Sequence, residues 1–239
     1  MKVTGPLFKW FGSKWLSSKT LPEPQFDTIV EPFAGGAGYS LRHAHKKVIL
    51  SELDPYISEL WMWLIEEATP ADIREIPVNI PEGTNILRLP LSYGQMLLLK
   101  SWQRTNNVGG CWTISPWGNK PGQWTESTRA RVSEEIGAIK HWTFVEGGAF
   151  ETMTSGIQAT WFVDPPYQYN YDYKQRIEDY AHFANVVLEL KGQVIACEAI
   201  CPKTGKVPDY LPFKFWQSRI TSRRKANENH HSKELLWVR

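Results

Sequence analysis

Short apolar runs alternate with segments of helical periodicity in the N-terminal part of the chain. Asp27-Thr28-Ile29-Val30-Glu31-Pro32-Phe33 predicts a first strand, with β-branched residues at its centre. It breaks at Ala34-Gly35-Gly36-Ala37-Gly38, and Tyr39 to Lys46 predicts a helix. Val48-Ile49-Leu50-Ser51-Glu52 predicts a second strand. A helix from Pro55 to about Glu67 follows, with Ile57, Leu60, Trp61 and Leu64 at helical spacing. This β-loop-α-β-α opening is that of a doubly wound α/β sheet.

Residues 70–142 break the alternation. Pro70, Pro77, Pro81 and Pro90 punctuate the first part, a helix spans Ser92 to about Gln103, and a charged helix spans Thr128 to about Lys140. Between those helices, Thr105 to Trp124 is rich in Gly, Pro, Asn and Trp and predicts loops with a hairpin as one option. The sheet pattern resumes at Thr143 to Glu146, Thr160 to Val163 and Gln193 to Glu198, with a helix from Asp179 to Lys191 before the last. Phe213 to Ile220 and Glu234 to Val238 predict a closing antiparallel pair.

At 239 residues the chain is long enough for one well-packed domain, or one domain carrying an insertion. No apolar run is long enough to span a bilayer, and Met1 to Pro6 carries no apolar leader pattern, which argues against secretion. Cys111, Cys197 and Cys201 suit reduced thiols in the cytosol better than a disulfide framework, and neither they nor the scattered histidines have zinc-site spacing, so no metal is expected. The net charge of +2 neither demands nor forbids nucleic acid; a basic surface would have to be local. Twelve tryptophans are unusual for this length, and their rings serve either a core or base stacking.

Four segments carry candidate chemistry. Asp164-Pro165-Pro166-Tyr167 follows the apolar run Thr160 to Val163, so a rigid polar turn stands at the carboxyl end of a buried strand, where α/β sheets place their sites. The glycines of Ala34 to Gly38 let backbone approach a ligand, though such turns also serve structure alone. Glu52 ends the second strand, where a carboxylate accepts hydrogen bonds from ribose hydroxyls or is simply a surface charge. Glycine loop and acid, roughly twenty residues apart, together argue for an adenosine-containing cofactor. In Phe8-Lys9-Trp10-Phe11-Gly12-Ser13-Lys14-Trp15, Lys14 can hold a carboxylate and Trp10 and Phe11 can border a cationic or planar ligand; packing on the core is the plainer role.

In this order, Lys9 to Lys14, Glu31-Pro32-Phe33-Ala34-Gly35-Gly36, Ser51-Glu52-Leu53-Asp54 and Asp164-Pro165-Pro166-Tyr167 resemble the Dam-like DNA adenine N6-methyltransferases (the D12 class). The resemblance covers most of the chain outside 70–142. It implies a Rossmann-like S-adenosylmethionine-dependent methyltransferase fold, an α/β architecture with a mixed seven-stranded sheet. Residues 1–69 and 143–239 would form the catalytic domain, and 70–142 an inserted target-recognition region. It further implies that Trp10, Phe11, Lys14, Pro32, Phe33, Ala34, Gly35, Gly36, Glu52, Phe150 and Asp164 bind the cofactor. Ala149 stands where relatives carry an acid before Phe150, and Ala37 where they often carry another glycine. Glu234-Leu235-Leu236-Trp237 resembles the family's final strand.

The implied reaction is direct methyl transfer to adenine N6. That amine is a poor nucleophile because its lone pair is delocalised into the ring. Asp164 and the Pro165 carbonyl can accept hydrogen bonds from its two protons, Pro165 and Pro166 fix the carbonyl direction, and Tyr167 can stack on the base. A target in duplex DNA must be flipped out. Candidate DNA contacts are Lys9, Asn106, Asn107, Trp112, Trp117, Asn119, Lys120, Gln123, Arg129, Arg131, Arg223 and Arg224, which combine base-reading, phosphate-holding and stacking groups. Tyr169 to Tyr173 is either a flap over the flipped base or an ordinary aromatic loop.

The expected partner is duplex DNA, with no membrane and no metal, and the protein acts as a monomer or weak dimer. Its expected location is the cytoplasm of a bacterial cell or a virus-infected bacterial host, in restriction protection or DNA marking. An RNA adenine N6-methyltransferase and a catalytically inactive nucleic-acid-binding homologue are the competing readings. Cytosine N4 enzymes usually carry Ser in place of Asp164.

Overall fold

The structure, a computed structural model, describes residues 2–103, 111–169, 175–201, 203–216 and 233–239. Among them, seven strands form one sheet: β1 (Thr28–Glu31), β2 (Lys47–Leu50), β3 (Thr143–Phe144), β4 (Gln158–Val163), β5 (Lys191–Ala199), β6 (Lys214–Phe215) and β7 (Glu234–Val238). Their order is β3-β2-β1-β4-β5-β7-β6. β1 runs parallel to β4 and β4 to β5, whereas β7 is antiparallel to both β5 and β6. A mixed sheet in this order, closed by an antiparallel β7 between β5 and β6, is the Rossmann-like topology of S-adenosylmethionine-dependent methyltransferases, as the sequence led one to expect.

β4 has a parallel partner on each edge, and strands of such a sheet are packed over on both faces. That is why Ala159-Thr160-Trp161-Phe162-Val163 is buried throughout and reads as a continuous run rather than an alternation. The register pairs Val163 with Ala196, which sets the residue after β4 beside the carboxyl end of β5.

The helices are α1 (Pro55–Met62), α2 (Pro70–Glu75), α3 (Tyr93–Trp102), α4 (Glu126–Glu135), α5 (Ala149–Met153) and α6 (Tyr180–Glu189). Most begin at a side-chain cap, which satisfies backbone N–H groups that have no partner within the helix. Asp54 caps α1 ahead of Pro55, Thr69 and Asp72 form a capping box around Pro70, Ser92 and Gln95 form another, and Thr125 and Asp179 cap α4 and α6.

The chain divides into two compact units. One comprises residues 1–15, 35–47 and 54–144. Its core holds Leu7, Phe8, Trp61, Leu64, Leu98, Trp102, Ile136 and Trp142, with Trp61 edge-on to Phe8 at 5.0 Å and tilted on Trp142 at 6.0 Å. The other comprises residues 16–34, 48–53 and 145–239. There Val30, Trp161, Val163, Phe183, Val187, Val194 and Ala196 form the core beneath α5 and α6.

Several expectations are corrected. The segment 39–46 forms only a single 3-10 turn, Ser40–His43, before β2 begins at Lys47. Pro70 opens α2 rather than breaking structure, since its missing N–H costs nothing at the first helical position. The helix from Pro55 ends in a π-turn over Trp63–Glu67, and α4 starts at Glu126 and ends in a 3-10 turn, Ile136–Ile139. α5 was not anticipated from periodicity, being only a turn and a half long. Where a hairpin within 105–124 was one option, residues 104–110 lie outside the described residues, and Thr113 instead bridges Asn85. The expected strand Phe213–Ile220 is described to Trp216, with Lys214 and Phe215 paired to β7; 217–220 lie outside.

Candidate active site

Open α/β sheets hold ligands at the carboxyl ends of their strands. In the unit that contains most of the sheet, three of those ends carry predicted site residues. β1 runs into Pro32, Phe33 and Ala34, β2 into Ser51 and Glu52, and β4 into Asp164. Ser51 is fully buried and laces the first two ends together. Its N–H donates to the Glu31 carbonyl (3.2 Å), its hydroxyl donates to the Pro32 carbonyl (3.1 Å), and its carbonyl accepts from the Ala34 N–H (3.0 Å). Ser51 was not singled out from sequence; the signal was a small hydroxyl residue between the apolar Leu50 and the acid. Glu52 is half-buried and its carboxylate accepts from the Leu53 N–H (2.8 Å). Phe150 on α5 is half-buried, stacked on His182 with ring centres 5.6 Å apart and edge-on to Phe183.

The turn after β4 is braced on several sides. Asp164 is half-buried, Pro165 and Tyr167 are buried, and the Tyr167 hydroxyl donates to Asp164 Oδ1 (3.1 Å). Tyr180 on α6 donates to the Pro166 carbonyl (2.5 Å), leaving the Tyr180 brace on Pro166 rather than on Pro165. Gln168 N–H donates to Glu198 Oε2 (3.1 Å), which also accepts from the Tyr210 hydroxyl (2.8 Å), while Glu198 Oε1 accepts from the Ala199 N–H (2.9 Å). Glu198 is fully buried, and burial pushes its carboxyl up to about 7, with the nearby Asp164 charge adding to the rise and its hydrogen bonds opposing it. Tyr210 is pushed up as well, first by burial and then by Glu198. Glu198, Tyr180 and Tyr210 escaped the sequence reading; the one visible signal was an acid closing the apolar strand Val194 to Cys197.

The other unit holds the glycine loop and the N-terminal segment. Gly35 has φ +46°, and a Cβ there would lie 2.5 Å from Trp10 Cδ1, so the loop is glycine because the Trp10 ring lies against it. A Cβ on Gly38 would lie 2.3 Å from the Trp15 backbone nitrogen, which no side-chain rotation relieves. Ala37, the position read as glycine in relatives, has φ +44° and carries the left-handed strain that glycine avoids. Trp61 Nε1 donates to the Gly35 carbonyl (2.8 Å) and anchors the loop on α1. Lys14 is buried with Nζ donating to the Gly12 carbonyl (3.2 Å), Trp10 is half-buried and Phe11 is exposed.

The structure assigns internal contacts to several residues of the DNA-contact set. Lys9 Nζ donates to Gln123 Oε1 (2.7 Å) and lies over the Trp102 ring. Asn119 donates its amide to the Ile80 carbonyl (2.8 Å). Arg129 pairs with Glu126 and donates to the Arg74 and Ile76 carbonyls at the end of α2. Arg131 pairs with Glu135 and donates to the Pro6 carbonyl (2.7 Å), and Glu135 also accepts from Thr4, so this pair pins the N-terminal segment to α4. Trp112 is half-buried beside Tyr56 and Lys100. Trp117, at 59 % exposure, and Lys120 stand exposed on one turn. Asn106, Asn107, Arg223 and Arg224, with Asn170 to Tyr173 of the aromatic loop and the basic residues Arg219 and Lys225, lie outside the described residues.

Gly38→Ala is expected to push the N-terminal segment away from the loop. Its melting temperature should fall by several degrees (about 2–4 °C for each 1 kcal/mol lost in a chain of this size). S-adenosylmethionine affinity should fall with it, both read by calorimetry.

Among the described residues no helix is long and apolar enough to cross a membrane, and no three His, Cys, Asp or Glu side chains form a metal-binding group. Compared with known proteins, the chain matches no protein-family model and no curated protein. Its strand order carries the assignment: the chain has the Rossmann-like fold of the S-adenosylmethionine-dependent methyltransferases, with a methyltransferase-like catalytic core.

Proposed function

We propose that the protein methylates adenine N6 in duplex DNA. One observation carries this reading: the Asp164-Pro165-Pro166-Tyr167 turn follows β4 of a methyltransferase sheet, with Asp164 partly exposed and the rest of the turn braced.

The residues at the strand ends fit the cofactor. Glu52 offers a half-buried carboxylate to ribose hydroxyls, the Ser51-laced turn of Pro32, Phe33 and Ala34 offers fixed backbone, and Phe150 offers an aromatic wall to an adenine. Gly35, Gly36, Trp10, Phe11 and Lys14 complete the set by resemblance. S-adenosylmethionine, when bound, supplies a methyl group on a sulfonium centre. Asp164 accepts a hydrogen bond from one N6 proton and the Pro165 carbonyl from the other, which draws the amine lone pair out of conjugation with the ring. The proton released from N6 passes to the Asp164 carboxylate and on to solvent. Placement and electrostatics provide the acceleration, without a covalent enzyme intermediate.

Residues 70–142 serve as the target-recognition region in this reading. Within it, Trp117 and Lys120 lead as DNA contacts, because Asn119, Gln123, Arg129 and Arg131 already have internal partners. Lys120→Ala is expected to weaken binding about equally for all sequences and reduce the salt slope of log K by about 1, measured by fluorescence anisotropy at several salt concentrations. An unchanged slope removes Lys120 from the interface. Such an enzyme would protect DNA from restriction or mark it within a bacterial cell.

The test of substrate class is methyl-group label transfer to unmethylated duplex DNA, in parallel with RNA of matched sequence. Label in DNA alone supports the proposal. Label in RNA alone transfers it to RNA, and label in neither, with cofactor bound, points to the inactive binding homologue.

A further inference from the structure

Buried carboxylates are costly and are usually matched to a purpose by their partners. Glu198 is fully buried at the end of β5, outside every predicted site residue. The parallel register that pairs Val163 with Ala196 brings this strand end alongside the turn after β4. Three donors converge on its two oxygens: the Gln168 N–H, the Tyr210 hydroxyl and the Ala199 N–H. The Gln168 contact fixes the residue directly after Tyr167. Tyr180 fixes the carbonyl of Pro166 from the other side, and its ring lies 4.9 Å from that of Tyr210.

We propose that Glu198 is a positioning residue for methyl transfer: its ionised carboxylate holds the Gln168 amide and thereby the aim of the Asp164-Pro165-Pro166-Tyr167 turn. This rests on the methyl-transfer reading of that turn. The ionised form holds all three donors by charge-assisted hydrogen bonds; a proton on Oε1, which accepts only from the Ala199 N–H, leaves the three donors an acceptor but removes the charge that strengthens the Gln168 and Tyr210 bonds. An amide in its place turns its NH2 toward the Ala199 N–H and offers Gln168 and Tyr210 only a neutral, weaker oxygen. The groups facing it are Asp164 from the turn after β4, Tyr210 from the segment before β6, and Tyr180 from α6 through Tyr210. Cys197 precedes it on its own strand, and on β7 Leu235 pairs with it and Glu234 with the neighbouring Ala199. Burial leaves the carboxyl at about 7. Its folded value is raised, so the active, ionised form is lost as pH falls through about 7.

Two readouts on the full chain test this. Amide hydrogen exchange at Gln168, by NMR and corrected for intrinsic rates, is expected to be at least tenfold faster in Glu198→Gln than in the native protein at pH 8. Single-turnover methylation of duplex DNA is expected to rise with pH through about 7 in the native protein. In Glu198→Gln it should be at least tenfold slower and flat across that range, with S-adenosylmethionine affinity within twofold. Unchanged exchange at Gln168, a turnover within twofold of native, or the same acid limb in both proteins overturns the proposal. So does a loss of turnover that merely follows a loss of cofactor binding. Should Glu198→Gln not fold, Tyr210→Phe removes one donor and keeps the charge. Its acid limb is expected to move to higher pH, and an unmoved limb overturns the proposal. Native protein that methylates no DNA refutes the methyl-transfer reading, while exchange at Gln168 still judges Glu198.

Discussion

Asp164→Ala is expected to lower single-turnover methyl transfer by about a thousandfold or more, the scale at which loss of an aimed acceptor and its electrostatic contribution operates. S-adenosylmethionine affinity should stay within about tenfold, because the ribose and backbone contacts proposed at Glu52 and Pro32 to Ala34 remain. The substitution also removes the acceptor of the Tyr167 hydroxyl. Tyr167→Phe serves as the control for that loss. If Tyr167→Phe is only mildly slower while Asp164→Ala is inactive, the effect belongs to the carboxylate. Asp164→Asn keeps the shape but offers one acceptor and one donor, so it should lie between the two. Calorimetric titration of cofactor and rapid-quench methylation read both quantities. An Asp164→Ala variant with a tenth or more of native turnover would remove the residue from the chemistry.

Trp61→Ala should produce the largest loss of stability. The ring is fully buried, packs on Phe8 and Trp142, and donates to the Gly35 carbonyl. Deleting a buried aromatic ring costs about 3–5 kcal/mol, and losing its hydrogen bond to the Gly35 carbonyl adds about 1 kcal/mol. Trp61→Phe separates the two: most of the packing stays and only the hydrogen bond to the loop goes, at about 1 kcal/mol. The expected signature of Trp61→Phe is a small shift in the urea midpoint with a clear loss of cofactor affinity, since Gly35 sits in the cofactor loop by resemblance. Equal midpoints for Trp61→Ala and the native protein would show that the ring does not anchor the loop.

The strands were legible because each had an unambiguous physical signature. Ile29-Val30 and Trp161-Phe162-Val163 are short, apolar, partly β-branched runs buried on both faces. The helix at Pro70 was missed because proline reads as a breaker unless its capping partners are recognised, and Thr69 with Asp72 supplied that signal. The Tyr39 segment looked helical in composition but forms a single 3-10 turn, a difference that composition does not reveal. Five of the twelve tryptophans found a structural use: Trp61, Trp102, Trp124, Trp142 and Trp161 are buried with ring N–H groups on backbone carbonyls.

The site was half legible. Glu52 and Asp164 could be named because a strand end followed by an acid is a local pattern. Glu198, Ser51, Tyr180 and Tyr210 act through contacts made across strands or between distant segments, and no local pattern marks such partners. Arg129 and Arg131 show the converse. As sequence they are cations in an insertion, but folding turns one onto the carbonyls ending α2 and the other onto Glu135 and Pro6.

The central claim is settled by the identity of the methylated atom. Native protein is incubated with methyl-labelled S-adenosylmethionine and unmethylated duplex DNA, and the DNA is digested to nucleosides and resolved by mass. Labelled N6-methyladenine, absent when Asp164→Ala replaces the native protein, is the predicted result. Label on cytosine, or no label in DNA while the cofactor demonstrably binds, contradicts the account.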